Sequence, residues 1–202
     1  KNGVETGIIK MDCLATQDDI TYKSRGFEVQ VGLSEGLCPD HFFVSNIEAC
    51  HTWGMEKGFD MLICESAGLC NRCSPHIKGV LGICVIDNLM GINTPKKIGP
   101  MLKFADIIVV TKGDIVSQAE REIFAFKILE VNPRCRLFHV NGITGQGASA
   151  LAEVFMESEE ISVLAQRELR YPMPSALCSY CLGETKIGDE YQMGNNYKMQ
   201  IR

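Results

Sequence analysis

The 202-residue sequence has no apolar run long enough to cross a membrane, and it has no excess of positive charge. Its longest apolar run, from about Val80 to Ile92, is interrupted by Asp87 and Asn88, whereas a transmembrane helix needs about 20 apolar residues. The formal net charge is -5, so the chain lacks the surplus of lysine and arginine that binds nucleic acids or membrane surfaces. We therefore expect neither nucleic acid nor a membrane as a partner.

The chain also lacks a signal-peptide pattern and any compositional bias toward disorder, collagen or coiled coil. With 46% apolar and 22% charged residues, it has the composition of a globular protein with one substantial core. Ten cysteines are present, but disulfide-rich secreted domains are usually shorter and poorer in apolar strands. These features favour a cytoplasmic protein in which some of the cysteines bind metal.

Apolar segments alternate with helical patterns along residues 1–170. A capping box formed by Ser117 and Glu120 predicts a helix that ends at Asn132, and a further helix is expected from Gly147 to about Gln166. The alternation predicts an α/β fold, a three-layer architecture with a mostly parallel sheet covered on both faces. The predicted strands are Gly7–Met11, Phe59–Cys64, Val80–Ile86, Ala105–Thr111 and Cys135–Val140.

The composition changes after Arg170. Residues 171–202 contain prolines, glycines, asparagines and two cysteines but few aliphatic side chains, so they are too poor in apolar residues to form a core. A bound metal would supply the missing stabilisation. We therefore divide the chain into a main domain at 1–170 and a small cysteine-bearing tail at 171–202.

Polar side chains follow several predicted strands, at the edge where open α/β sheets bind their ligands. Asp12 follows the first strand, Glu65 the second, the tetrapeptide TKGD at 111–114 the fourth, and the loop NGITGQG at 141–147 the fifth. TKGD resembles the guanine-reading NKxD loop of GTPases, in which the carboxylate accepts hydrogen bonds from the guanine N1 and amino groups. The pattern indicates a nucleotide site.

Taken together, several segments resemble the nickel-insertion GTPases of hydrogenase and urease maturation, the CobW/HypB/UreG-like members of the SIMIBI class of P-loop NTPases. The resemblance runs from Gly7 to about Phe155 and follows the family's order and spacing. It implies a P-loop NTPase fold and GTP hydrolysis. The matching segments are KMDCLATQDD, GLCPDH, ICESAGL, GINTPKKIGPMLKFADIIVVTKGD and NPRCRLFHVNGITGQG.

The resemblance implies roles for individual residues. Asp12 would help to hold Mg²⁺, and Glu65 would lie in the second switch, near the γ-phosphate and the attacking water; both are expected to be catalytic. Because Thr111 stands where the family has asparagine, ATP stays an alternative to GTP. The expected nucleotide-binding residues are Thr111, Lys112, Asp114, Asn141 and Gly142.

The sequence contains no G-x-x-x-x-G-K-[ST] loop, whose backbone amides and lysine cradle the phosphates in P-loop enzymes. The family places that loop before the segment that matches residues 1–11. We expect the parent protein to carry the missing strand, P-loop and helix. A relic that has lost nucleotide binding is the alternative.

The sequence Cys38-Pro39-Asp40-His41 resembles the Cys-Pro-His motif that binds nickel or zinc at the dimer interface of urease-type GTPases, with Asp40 inserted. A thiolate, a carboxylate and an imidazole within four residues can bind one borderline divalent ion. Cys38 and His41 are therefore candidate metal ligands, and a homodimer is expected.

Two CxxC pairs, Cys70 with Cys73 and Cys178 with Cys181, complete the set of candidate metal ligands. A tight turn brings two such thiolates toward one metal. The pairs can combine into one site, form separate sites or bridge protomers. Zn²⁺, Ni²⁺ and a [4Fe–4S] cluster all remain compatible with these thiolates.

The leading hypothesis is a GTPase that couples Mg²⁺-dependent GTP hydrolysis to the insertion of a metal or metallocofactor. Its expected partners are GTP and a client metalloenzyme or a maturation factor of that enzyme. One alternative is an ATP-dependent iron–sulfur activator that reduces its client. The other is a metal-binding interaction module without nucleotide chemistry.

Overall fold

A computed structural model of the chain describes residues 3–67, 71–173, 184–188, 190–191 and 198–201. Strands and helices alternate, and the strands of each sheet are parallel. This confirms the predicted α/β class. The chain divides into two compact units. The first unit contains 1–68, 163–168 and 172–202, and the second contains 69–162 and 169–171, each as far as the structure describes them.

The first unit contains a parallel sheet of three strands in which the first strand is central. Its elements are β1 (Thr6–Asp12), α1 (Asp18–Ser24), β2 (Glu28–Leu33), α2 (Pro39–Lys57) and β3 (Met61–Ser66). Strand β1 pairs with β2 on one side and with β3 on the other, and in this register Lys10 lies opposite Glu65. Ile8, Ile9 and Met11 of β1 are buried, so the central strand supplies much of this unit's core.

The longest helix of the first unit, α2, is bounded by two residues with special backbone preferences. Pro39 suits the first helical turn, and Gly58 ends the helix in a left-handed conformation with φ 71°. The Trp53 ring packs against the Phe59 ring with 5.1 Å between centroids, and a Cβ atom at Gly7 would overlap Phe59.

Among the described residues, no helix combines the length and hydropathy that a membrane span requires.

The second unit contains another parallel sheet of three strands. Its elements are β4 (Ile83–Asp87), a 3-10 turn (Asn88–Met90), α3 (Thr94–Ile98), α4 (Pro100–Lys103), β5 (Ile107–Thr111), α5 (Gln118–Val131), β6 (Arg136–His139) and α6 (Ala148–Met156). The strand order is β4-β5-β6. As predicted, the capping box of Ser117 and Glu120 forms at the start of α5, and the helix ends at Val131 with Asn132 as its C-cap.

Strand β5 is buried on both faces. Ile108 belongs to the hydrophobic cluster that contains Phe124 and Ile128 of α5, whereas Ile107 belongs to the cluster that contains Val154 of α6. Because neighbouring residues of a strand point to opposite faces, this double coverage requires a continuous apolar sequence. The prediction of a strand covered on both faces is confirmed for β5.

Other sequence-based predictions were less accurate. Strand β2 was not predicted, because its alternating sequence EVQVGL forms no continuous apolar run. Helix α6 ends at Met156, well before the expected end near Gln166. Strand β4 is covered mainly on one face: Cys84 and Ile86 are each 2% exposed, whereas Val85 is 57% exposed.

Arg170 connects distant parts of the second unit. Its Nε donates to the carbonyl oxygen of Ile77 (3.1 Å), Nη1 to that of Phe104 (2.8 Å) and Nη2 to that of Val80 (2.6 Å). The same guanidinium forms two hydrogen bonds to the Asp106 carboxylate, at 2.7 and 2.6 Å. Burial tends to raise the pKa of Asp106, but the hydrogen bonds from Arg170 and from the Gly82 backbone N–H, together with the positive charge of Arg170, outweigh burial and hold that pKa below its ordinary value.

Candidate functional site

A buried lysine at the carboxyl end of the first sheet is surrounded by acidic side chains. The Lys10 ammonium lies 2.7 Å from Glu65 Oε1, 2.9 Å from Asp18 Oδ2 and 3.7 Å from Asp12 Oδ2. Only 6% of the Lys10 side chain is exposed. The Tyr22 hydroxyl donates to Glu65 Oε2 at 2.8 Å, so a donor fixes each oxygen of the Glu65 carboxylate.

The protonation states of Lys10 and Tyr22 follow from these contacts. Burial lowers the pKa of Lys10, but hydrogen bonds to Glu65 and Asp18 outweigh burial and raise this pKa above its ordinary value. Burial and the hydrogen bond to Glu65 raise the pKa of Tyr22 to about 12. At neutral pH Lys10 is therefore a cation, and Tyr22 is a neutral hydrogen-bond donor.

The two residues predicted to be catalytic, Asp12 and Glu65, lie around the same ammonium group. Asp12 Oδ1 also accepts a hydrogen bond from the backbone N–H of Cys13 at 2.9 Å, which fixes its orientation at the end of β1. Sequence reasoning missed Lys10 and Tyr22. The available signal was a charged residue within an apolar strand, because such a side chain needs a partner when buried.

The candidate metal ligands of the first unit lie where α2 begins. Cys38 occupies the N-cap position and is half-buried. Asp40 and His41 lie in the first turn and are 2% and 1% exposed, respectively. The start of α2 therefore holds the predicted thiol and imidazole together with a carboxylate. This set of donor atoms suits Ni²⁺ or Zn²⁺.

In the second unit Cys73 is 2% exposed. His76, three residues later, is also buried, and its Nε2 lies 2.9 Å from a backbone carbonyl oxygen. Burial lowers the pKa of His76, so its imidazole is neutral at physiological pH. Cys70, Cys178 and Cys181 lie outside the described residues, and the metal-binding role of both CxxC pairs stays a prediction.

The last residue of β4 and the residue that follows it support the TKGD loop in the second unit. Lys112 Nζ lies 2.7 Å from Asp87 Oδ2, and Asn88 Nδ2 donates to the carbonyl oxygen of Thr111 at 2.8 Å. The hydrogen bond from Lys112 holds the pKa of Asp87 below its ordinary value. Lys112 adopts a left-handed φ of 57°, and Asp114 is exposed at the end of the loop.

The loop after β6 is closed by its own first residue. Asn141 Oδ1 accepts hydrogen bonds from the backbone N–H groups of Ile143 (2.9 Å) and Thr144 (3.1 Å). The backbone N–H of Asn141 donates to the carbonyl oxygen of Gln146 at 3.0 Å. Gly142 is exposed. Because β5 and β6 pair in parallel, this loop and the TKGD loop leave the same end of the sheet.

Asp87 and Asn88 were missed as site residues, since the sequence shows them only as an interruption of an apolar run. Their polar side chains lie beside the TKGD loop, which follows β5, because Asp87 and Thr111 are register partners. Polar residues at the carboxyl end of a parallel strand were the signal that could have found them.

Comparison with known proteins gives both a family and a relative. Residues 1–139 match the family described as CobW/HypB/UreG, nucleotide-binding domain. Uncharacterized protein MJ0120 of Methanocaldococcus jannaschii is 50% identical to the chain over 192 residues, which cover 95% of this chain and 82% of that protein.

Solved structures share the fold. The hydrogenase maturation factor HypB from Archaeoglobus fulgidus matches with a TM-score of 0.59 and 17% identity, covering 77% of this chain and 76% of that one. HypB from Helicobacter pylori, solved in complex with nickel, matches with a TM-score of 0.62 and 15% identity, covering 81% of each chain. The predicted P-loop NTPase type of fold is confirmed.

Proposed function

Because the chain belongs to the CobW/HypB/UreG nucleotide-binding-domain family, we propose that it is a metallochaperone GTPase. With the P-loop that we expect in the parent protein, it binds and hydrolyses GTP, and this cycle drives insertion of a metal or metallocofactor into a client enzyme. The observation that carries the proposal is the supported TKGD loop, in which Lys112 is held by Asp87 while Asp114 stays exposed.

Guanine recognition follows from the hydrogen-bonding capacity of Asp114. Its carboxylate accepts from guanine N1–H and from the exocyclic amino group, whereas adenine presents an acceptor and a C–H at that edge. The ion pair with Asp87 fixes the end of the Lys112 side chain, and its aliphatic stem can then cover a face of the base. Gly142 offers its backbone N–H from the neighbouring loop.

Asp114→Asn should weaken GTP binding about 10- to 100-fold, because an amide donor replaces one of the two acceptor oxygens. Xanthosine triphosphate should bind the variant better than it binds the wild type, since its 2-oxo group accepts a hydrogen bond from the new amide. Calorimetric titration of the parent protein with both nucleotides measures these affinities.

Glu130→Gln is the matched control, because Glu130 is an exposed acid whose side chain pairs with Lys127 on α5. Its affinity for GTP should equal that of the wild type. If Asp114→Asn also binds GTP as tightly as the wild type, Asp114 does not read the base and the assignment to GTP is wrong.

For the hydrolysis step we propose Asp12 and Glu65 as the functional carboxylates. Carboxylate oxygens are the ligands that Mg²⁺ prefers in proteins, so these side chains suit the ion that accompanies a nucleotide. When bound, Mg²⁺ would neutralise charge on the phosphates. Phosphoryl transfer depends on positioning and charge stabilisation, and the fixed carboxylate of Glu65 is suited to orienting an attacking water.

The metal cargo in this proposal is Ni²⁺ or Zn²⁺. Thiolates and imidazoles bind both ions, and the HypB structure from Helicobacter pylori was solved with nickel. We place this function in the cytoplasm, where reducing conditions keep thiols available. We further propose a homodimer and a client metalloenzyme or its maturation factor as receiver. The proposed ligands are Cys38, His41, Cys70, Cys73, Cys178 and Cys181.

Cys38→Ser should lower the affinity for Ni²⁺ or Zn²⁺ about 10- to 100-fold, because serine is a poor ligand for borderline ions. Competition with a chromophoric chelator measures the affinity. Cys13→Ser changes another half-buried cysteine outside the motif and should bind metal as the wild type does.

Equal affinities in Cys38→Ser and the wild type would remove Cys38 from the site. A brown chromophore in anaerobically purified protein would instead indicate a [4Fe–4S] cluster. That result would contradict the assignment of the cargo and favour the ATP-dependent reductive activator.

A further inference from the structure

Helix α1 is attached to the first sheet through polar side chains. All seven of its residues are described, and none of them is buried. Its contacts to the sheet include Asp18, whose Oδ2 lies 2.9 Å from the Lys10 ammonium, and Tyr22, whose hydroxyl donates to Glu65. Since apolar burial holds most surface helices to their sheets, these charged contacts carry unusual weight for α1.

The central group in this arrangement is the Lys10 ammonium. Lys10 and Glu65 are register partners on β1 and β3, so their 2.7 Å contact is set by the sheet itself. Asp18 approaches the same ammonium from α1. One cation therefore joins two strands and a helix, and it lies beside the carboxylate to which we assign a role in catalysis.

We propose that Lys10 is a positioning residue, which orients Glu65 for phosphoryl transfer and docks α1 beside it. The catalytic part of this inference rests on the proposed GTPase function; the docking of α1 does not. Lys10 acts through Glu65 and Asp18 and makes no contact with substrate in this assignment.

Electrostatics explains why a cation is needed at this position. Without the ammonium, the carboxylates of Glu65 and Asp18 would face each other across a partly buried space and repel. Among the residues that the structure describes, the Tyr22 hydroxyl would then supply the remaining hydrogen bond from α1 to Glu65. We expect α1 to detach and the Glu65 carboxylate to lose its fixed orientation.

Docking is tested by hydrogen exchange of the α1 amides in the 202-residue chain. Lys10→Met removes the charge but keeps most of the stem, and it should accelerate exchange at residues 18–24 about 10-fold or more. Lys10→Arg should restore slow exchange. Lys23→Met, which removes an exposed partner of Asp19 on the same helix, is the matched control and should change exchange little. Unchanged exchange in Lys10→Met would overturn the docking.

Positioning is tested by GTP hydrolysis in the parent protein, which we expect to carry the P-loop. Lys10→Met should lower kcat about 10- to 100-fold while KM for GTP changes less than about 3-fold, because orientation matters most in the transition state. Lys10→Arg should recover most of the lost rate. An unchanged kcat in Lys10→Met, or an equal loss in Lys10→Arg, would overturn the positioning role.

Tyr22→Phe covers the case in which Lys10→Met fails to fold. It removes the other hydrogen bond to Glu65, and it should lower kcat about 3- to 10-fold with little change in KM; an unchanged kcat contradicts the positioning of Glu65. If the wild-type protein does not hydrolyse GTP, the proposed function fails, and with it the catalytic role of Lys10. The exchange experiment still decides whether Lys10 docks α1.

Discussion

Replacing Arg170 by methionine should destabilise the second unit by about 3 kcal/mol, because a partly buried ion pair and three backbone carbonyl oxygens lose their donor together. Arg170 bonds to three backbone carbonyls and twice to Asp106. The Asp106 side chain is 42% exposed, so water compensates part of the loss and keeps the expected value below that of a fully buried pair. Urea unfolding measured by circular dichroism gives the change.

Arg136→Met is the control for this experiment. Arg136 forms an ion pair with Glu157 in which both side chains are more than half exposed, and its removal should cost less than about 1 kcal/mol. Arg170→Lys should be intermediate, since an ammonium can replace the charge but not the planar fork. If Arg170→Met and the wild type have the same free energy of unfolding, the hydrogen bonds of Arg170 make no net contribution to stability.

The effect of Arg170→Met should also depend on pH. The pKa of Asp106 in the folded protein lies below its ordinary value of 3.8. The stabilisation linked to its ionisation is therefore fully present above that ordinary value and is lost as the pH falls through the lowered pKa. The stability difference between the variant and the wild type should shrink in acid and stay constant near neutral pH.

Gly147→Ala should be destabilising by about 3 kcal/mol or more. Gly147 has a φ of 83°, and a Cβ atom at this position would collide with the carbonyl oxygen of His139. Alanine therefore meets both a disfavoured backbone conformation and a rigid backbone atom. The loop at 141–146 would have to shift, so GTP affinity should fall as well. Urea unfolding and calorimetric titration measure the two effects.

Two other glycines of this loop separate the effect of backbone strain from the effect of the collision with the His139 carbonyl oxygen. Gly145 has a φ of 76° and no atom within 4 Å of the added Cβ, so Gly145→Ala should cost about 1 kcal/mol from strain alone. Gly142 has open space and no positive φ, so Gly142→Ala should leave stability within about 0.5 kcal/mol. If Gly147→Ala is no worse than Gly145→Ala, the backbone has moved to relieve the collision.

Sequence reasoning was most accurate where local chemistry alone determines the structure. The capping box of Ser117 and Glu120 needs only residues of one turn, and it forms as predicted. Strand β5 was predicted from its continuous apolar sequence, because burial on both faces leaves no room for polar residues. The strand β2 shows the opposite case, since an alternating, half-exposed strand depends on the partner that it pairs with.

The candidate sites show the same division. Asp12, Glu65 and the TKGD loop could be placed at strand ends from the order of elements. The ion pairs of Lys10 with Asp18 and of Lys112 with Asp87 could not be predicted from this order. They depend on strand register and on where the chain places side chains that are distant in the sequence. The CxxC pairs stay predictions, since Cys70, Cys178 and Cys181 lie outside the described residues.

The way in which residues 163–173 are shared between the two units has a consequence for protein synthesis. Residues 163–168 belong to the first unit, whereas 169–171 return to the second and bring Arg170 to carbonyl groups that were made more than 60 residues earlier. Neither unit can acquire all of its native contacts before this segment leaves the ribosome. The second unit can therefore be completed once Tyr171 has left the ribosome, whereas the first unit still needs Met199, whose backbone N–H donates to the Asn46 side chain. A chain terminated at Ser162 would leave both units incomplete.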